Sequence, residues 1–185
     1  MTCSRSLSIA IGSAVAIGWG AVSYAADSVD VGQTVPDSRT VKEGLFPEDA
    51  CKELEATGFK CMGFKPAVRY SLPTASFRVG SVELPELLRQ QLDVFAKVLR
   101  ETSGSGRVIR IEGYTDASGP LEVNMTLSKR RADAVRAYLV ANGADKDMLD
   151  TVGMGPQSPK IAANPFAAEN RRVEIVRMPA AEVKN

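Results

Sequence analysis

The sequence predicts an α/β fold in which one small sheet carries helices packed on a face. Segments of strand character alternate with apolar-periodic stretches of about 15 to 20 residues, the pattern of right-handed βαβ crossovers. Strong turn and stop signals separate them, at Gly119-Pro120, Asn142-Gly143 and Pro179. A length of 185 residues suits one domain with appendages.

Met1 to Arg5 carries one positive charge, Leu7 to Val22 is a weakly polar to apolar run rich in Ala, Ile and Gly, and Ser23 to Ala26 supplies small residues. That three-part pattern predicts a secretory signal peptide over residues 1–25, cut after Ala25. A spanning helix wants about 20 apolar residues, usually stronger ones than Ala and Gly. Cys3 lies ahead of the apolar stretch, where a lipobox cysteine does not stand.

Residues 26–45 are expected to form a flexible tether, since Asp27 to about Thr40 is Ser, Asp, Gly, Pro and Val without helical or strand period. Residues 46–72 are expected to form a short cap: Phe46-Pro47-Glu48-Asp49 opens a helix from Glu48 to Ala56, and Gly58 ends it. An exported chain meets oxidising conditions, so a disulfide between Cys51 and Cys61 is expected to pin the cap. Their spacing matches neither a zinc ribbon nor a CxxC redox site.

The main domain is expected over residues 73–179, followed by a tail at 180–185. Ser76 to Val79 reads as a strand, and Leu84 to Arg100 as a helix with Leu87, Leu88, Leu92, Phe95 and Leu99 at steps of three and four. Arg107 to Thr115 has strand character from Val108, Ile109 and Ile111. Gly119 is a tolerated cap, Pro120 a good first helical residue, and Asn142-Gly143 a left-handed stop, so a long helix lies between them. Met148 to Met154 and Arg171 to Arg177 are the remaining strands, joined by a Pro- and Ala-containing connection.

Composition excludes several function classes. Removing residues 1–25 takes one basic residue, Arg5, from the 23 and leaves them equal to the 22 acidic ones. A neutral chain has no long-range field for nucleic acid, and no nucleic-acid partner is implied. There is no histidine, so the commonest general base and metal ligand is missing, and neither a metal nor another cofactor is expected. Without a visible nucleophile and base, the chain reads as a binding protein and not as an enzyme.

One charge stands where an apolar residue belongs. With Leu127 at zero on a helical wheel, Ala134, Tyr138, Val135 and Leu139 fall between about −20 and 120 degrees, and Arg131 falls at about 40 degrees. A buried guanidinium needs an answering anion. Asp116, after a strand and before this helix, is the available carboxylate. Such a residue can be a turn former, and the arginine can pair with it or snorkel past the stripe. Alternatively, the two together can receive a zwitterion at the carboxyl end of the strand, where open α/β sheets place ligands.

These residues also carry a resemblance. Gly113-Tyr114-Thr115-Asp116-Ala117-Ser118-Gly119, followed by Asn124, Leu127-Ser128, Arg131-Ala132 and Val135, resembles the G-[HY]-T-D-x-x-G … N-x-x-L-S-x-x-R-A-x-x-V signature of the OmpA-like C-terminal domain. Gly153-Met154-Gly155 with Pro159, and Asn170-Arg171-Arg172-Val173-Glu174, are similar to its later motifs. The resemblance implies a mixed sheet of βαβαβ type and non-covalent binding of peptidoglycan in the periplasm, peripheral to the outer membrane. It implies that Asp116 and Arg131 hold the amine and carboxylate of meso-diaminopimelate, with Thr115, Asn124 and Arg172 as scaffold or site rim. Two departures stand out: Phe77 to Ser81 lacks the acid or amide of the family's first strand, and Asn164 to Asn170 is short and lacks a G-R-A segment. An envelope protein partner is expected through residues 27–72. A competing reading keeps the fold as an interaction scaffold, with Asp116 and Arg131 as an internal ion pair.

Overall fold

The computed structural model describes residues 28–61, 66–73, 77 and 80–179. The expected signal peptide and tail lie outside the described residues, as does most of the expected strand Ser76 to Val79. Among the described residues no helix is long and apolar enough to cross a membrane.

Among the described residues five strands form one sheet: β1 (Ser28–Asp30), β2 (Arg69–Pro73), β3 (Ile109–Tyr114), β4 (Leu149–Gly155) and β5 (Arg172–Arg177). Their order is β1-β2-β5-β3-β4. β1 with β2 and β3 with β4 are parallel, whereas β5 runs antiparallel to both β2 and β3. The sheet is therefore mixed, as expected. Four α-helices among the described residues accompany it: α1 (Ser38–Leu45), α2 (Pro47–Ala56), α3 (Glu86–Glu101) and α4 (Leu121–Ala141).

Strand alternation sorts the side chains. Tyr70, Leu72, Ile109, Ile111, Val173 and Ile175 turn to one face and join Leu88, Leu92, Phe95, Leu99, Val135 and Leu139 from α3 and α4 in a single core. The intervening residues satisfy one another on the opposite face. Arg69 bonds Glu112 and Glu174, Tyr114 donates to Glu112, and Arg172 donates to Glu174 while lying over the Tyr114 ring.

The expected tether is corrected. β1 pairs with β2, and Gln91 of α3 donates to the carbonyls of Gly32 and Thr34 at 3.0 and 2.8 Å. α1 starts on an Asp37 cap that accepts from the Thr40 N–H at 3.1 Å, and it buries Val41 and Leu45 completely. Burying those two aliphatic side chains outweighs the ordering cost of a segment that is polar elsewhere. The expected boundary at residue 73 moves for the same reason, because β2 is an internal strand of the sheet.

α2 and the disulfide agree with expectation. Cys51 and Cys61 are joined, with Cα atoms 5.6 Å apart. α2 is also clamped to the strand ends: Arg107 bonds Asp49, Arg177 reaches Glu48 at 2.5 Å, and both guanidiniums lie over the Phe46 ring. This clamp is at the start of β3, the end opposite to Asp116.

Candidate functional site

α4 lies unusually close to the sheet because glycines floor its path. A Cβ on Gly113 would stand 2.1 Å from the Ser128 carbonyl oxygen, and one on Gly153 would stand 2.8 Å from that of Met125. Ser128 uses the proximity. Its hydroxyl donates to the Met125 carbonyl at 2.9 Å and accepts from the Gly155 N–H at 3.0 Å. The residues of α4 that are buried are Asn124, Ser128, Arg131, Ala132, Val135 and Leu139. The centre of its buried face is thus turned toward Val135, and Leu127 lines a groove of about 400 Å³ with Gly80 instead of entering the core. Small residues allow the close approach, and a wheel drawn on large apolar side chains alone misplaces that centre.

The same approach brings Arg131 to the carboxyl end of β3, where Asp116 begins the connection to α4. Asp116 is 9% exposed and Arg131 2%. Asp116 forms an Asx turn, its Oδ1 accepting from the Ser118 N–H at 3.0 Å. Its Oδ2 accepts from Arg171 at 2.7 Å. Burial alone would push the Asp116 carboxyl up, but the bonds from Arg171 and Ser118 outweigh it and hold it below the usual range.

Arg131 has a different surrounding. Its Nε donates to the Ser81 carbonyl at 3.1 Å, and its guanidinium sits 4.7 Å from the centre of the Phe77 ring. No carboxylate oxygen among the described residues lies within ion-pair distance of it. Burial first, and then the Arg171 charge, lower its pKa, with Asp116 opposing. An arginine nevertheless keeps its proton. The carbonyl of Ser81 and the ring of Phe77 thus stand where the family's usual first-strand acid or amide is absent.

The rim residues fall into two groups. Thr115 is buried, its N–H donates to Gly155, and its hydroxyl has no partner among the described residues. Asn124 is buried and donates to the Ser118 carbonyl at 2.9 Å, fixing the loop that carries Asp116. Arg172, however, is committed to Glu174, Asn170, Ser158 and the Tyr114 ring.

The residue that touches Asp116 is its neighbour Arg171, which sequence reasoning did not assign. Adjacent residues at a strand start point to opposite sides, so only one of the two arginines could face the site. The connection before it closes on the same place. Ala117 donates to the Pro165 carbonyl at 2.9 Å, and buried Asn170 bonds Ile161 and Asn164.

The mixed sheet thus carries, at the carboxyl end of β3, a carboxylate paired with Arg171 and a buried guanidinium with no carboxylate at ion-pair distance among the described residues. The family model for the OmpA family matches residues 76–172, just over half of the chain, and the chain belongs to that family. It is 41% identical over 108 residues to the peptidoglycan-associated lipoprotein of Pseudomonas aeruginosa, covering 57% of this chain and 62% of the relative. It is 48% identical over 71 residues to the peptidoglycan-binding protein ArfA of Mycobacterium tuberculosis, covering 37% and 22%. The periplasmic domain of Helicobacter pylori MotB shares the fold at a TM-score of 0.51 and 19% identity, covering 60% of this chain and 82% of that one. The chain spans less than two thirds of the length of these two curated relatives.

Proposed function

We propose that the protein binds peptidoglycan non-covalently, taking the free centre of meso-diaminopimelate between Asp116 and Arg131, and so anchors itself or a partner to the cell wall. The observation that carries this reading is Arg131, a buried guanidinium whose charge meets no carboxylate of the described chain while an ionised carboxylate stands nearby. A ligand carboxylate supplies that anion, and the ligand's ammonium takes the remaining acceptor capacity of Asp116. The names of the relatives, a peptidoglycan-associated lipoprotein and a peptidoglycan-binding protein, support the same ligand.

The location that goes with this function is the periplasm, against the wall and peripheral to the outer membrane. An envelope protein partner has a surface at the α2 end, where Leu54 and Phe59 are exposed beside the disulfide. The competing reading, in which Asp116 and Arg131 serve only as each other's ion pair, fits the geometry less well because Asp116 is paired with Arg171.

Co-sedimentation with purified sacculi tests the proposal. The wild type is expected in the pellet with the sacculi unchanged. Asp116→Ala and Arg131→Met should each weaken binding by about 30-fold or more, the effect of removing one partner of a desolvated charge pair. Undiminished pelleting of both variants would remove the site from the function.

A further inference from the structure

We infer that Arg171 is a positioning residue of this site and sets its charge selectivity: it holds Asp116 for a ligand ammonium and leaves the site one positive charge in excess, so that the ligand must bring an ionised carboxylate. This rests on the function proposed above and names the ligand class more narrowly.

Three charges meet in one place. Asp116 is the anion, and Arg131 and Arg171 are both coupled to it. Arg171 occupies one oxygen of Asp116 and the Ser118 N–H the other. An ionised carboxylate has about four acceptor positions, so an incoming ammonium can bind Asp116 without expelling Arg171. The carboxylate stays aimed, and its charge is shared between the arginine and the ligand.

Arg131 then decides the other half. Its described hydrogen bond uses Nε alone, and the nearby Arg171 charge opposes its own. A ligand carboxylate answers both cations at once. Converting that carboxylate to a carboxamide removes the anion and turns a neutral zwitterionic centre into a cation, facing a site that already has an uncompensated positive charge. Arg171 is placed to act on a ligand because its side chain is 29% exposed, whereas Arg172 beside it is buried and committed to Glu174.

The test uses two soluble probes, L-Ala-γ-D-Glu-meso-diaminopimelate and the same tripeptide with its side-chain carboxylate as the carboxamide. Affinities are measured by NMR titration of the purified protein, with Asp116→Ala as the reference for lost binding. Wild type should prefer the acid by about tenfold or more. Arg171→Gln should weaken acid binding by about tenfold and amide binding by much less, since both probes lose the held Asp116 but only the amide is relieved of a repelling charge, so the preference collapses. Arg171→Lys, which keeps the charge, should retain most of the preference whether or not the glutamine variant folds. Equal weakening of both probes in Arg171→Gln, or loss of the preference in Arg171→Lys, would make Arg171 merely structural and overturn the inference. A wild type that binds both probes equally, with binding lost in Asp116→Ala, overturns the inference and leaves the proposed function standing. A wild type that binds neither overturns the function as well.

Discussion

Asp116 and Arg131 are not equivalent in the free protein, and substitutions at the two should separate folding from binding. Removing the Asp116 carboxylate strips Arg171 of its ion-pair partner, takes a nearby anion from Arg131 and opens the Asx turn. Asp116→Ala should therefore cost about 1–3 kcal/mol in addition to its loss of binding. Arg131→Met keeps the unbranched apolar stem of the side chain and removes a buried charge that has no carboxylate at ion-pair distance among the described residues. Its stability should be unchanged or higher, because replacing a buried charge by an apolar isostere is often neutral or stabilising. Thermal denaturation of the two variants checks the contrast, and equal destabilisation would contradict it.

The depressed Asp116 pKa also fixes a direction with pH. A carboxyl held below its unfolded value binds more protons when unfolded, so its stabilising effect is full above an unfolded pKa of about 4 and is lost as pH falls through the folded value. Binding to sacculi should persist at pH 5 and decline only below about pH 4. A binding midpoint near pH 6, measured by sedimentation across a buffer series, would mean that another group controls the site.

At the scale of elements, the site depends on how closely α4 approaches the sheet. Gly113→Ala would push a methyl group into the Ser128 carbonyl, which is backbone and cannot swing aside. The expected cost is about 3 kcal/mol or more, with weaker binding as Arg131 moves away from Asp116. Ser128→Ala removes two hydrogen bonds without steric conflict and should cost about 1–3 kcal/mol, leaving the Gly155 N–H buried and unpaired. Urea denaturation orders the two.

Much of this level was legible in the sequence. The strands Ile109–Tyr114, Leu149–Gly155 and Arg172–Arg177 and both long helices follow from period and punctuation, and Arg131 stands out as a charge in an apolar stripe. What was not legible was the centre of that stripe, since Ser128 and Ala132 look unremarkable by hydrophobicity, yet Ser128 lies against the sheet at Gly113 and Gly155 and Ala132 is fully buried. Arg171 was hidden by a tertiary contact, because nothing local in Asn170-Arg171-Arg172 says which arginine returns to Asp116.

For the whole molecule, residues 28–46 are part of the domain. β1 has only three residues, all exposed, and its pairing with β2 spans about 40 positions of sequence. α1 buries only two of its eight residues. Neither leaves a periodic signal long enough to read. Deleting residues 28–46 would take Val41, Leu45 and Phe46 out of the core and uncover Tyr70, which donates to the Thr40 carbonyl and packs edge-on against Phe95, and the truncated protein should lose its cooperative transition. The disulfide closes a loop with a sequence separation of 10 residues. Its loss in a Cys51→Ser, Cys61→Ser double variant should cost about 2–3 kcal/mol. Wall binding should remain intact, since α2 is clamped at the opposite end of β3 from Asp116.

The most direct measurement compares retention of the protein by sacculi of two stem chemistries under identical conditions. A meso-diaminopimelate stem presents ammonium and carboxylate on one side-chain centre, whereas a lysine stem presents the amine alone and leaves Arg131 without its anion. The protein should sediment with diaminopimelate-type sacculi and stay in solution with lysine-type sacculi. Equal retention by both would contradict the two-point clamp between Asp116 and Arg131.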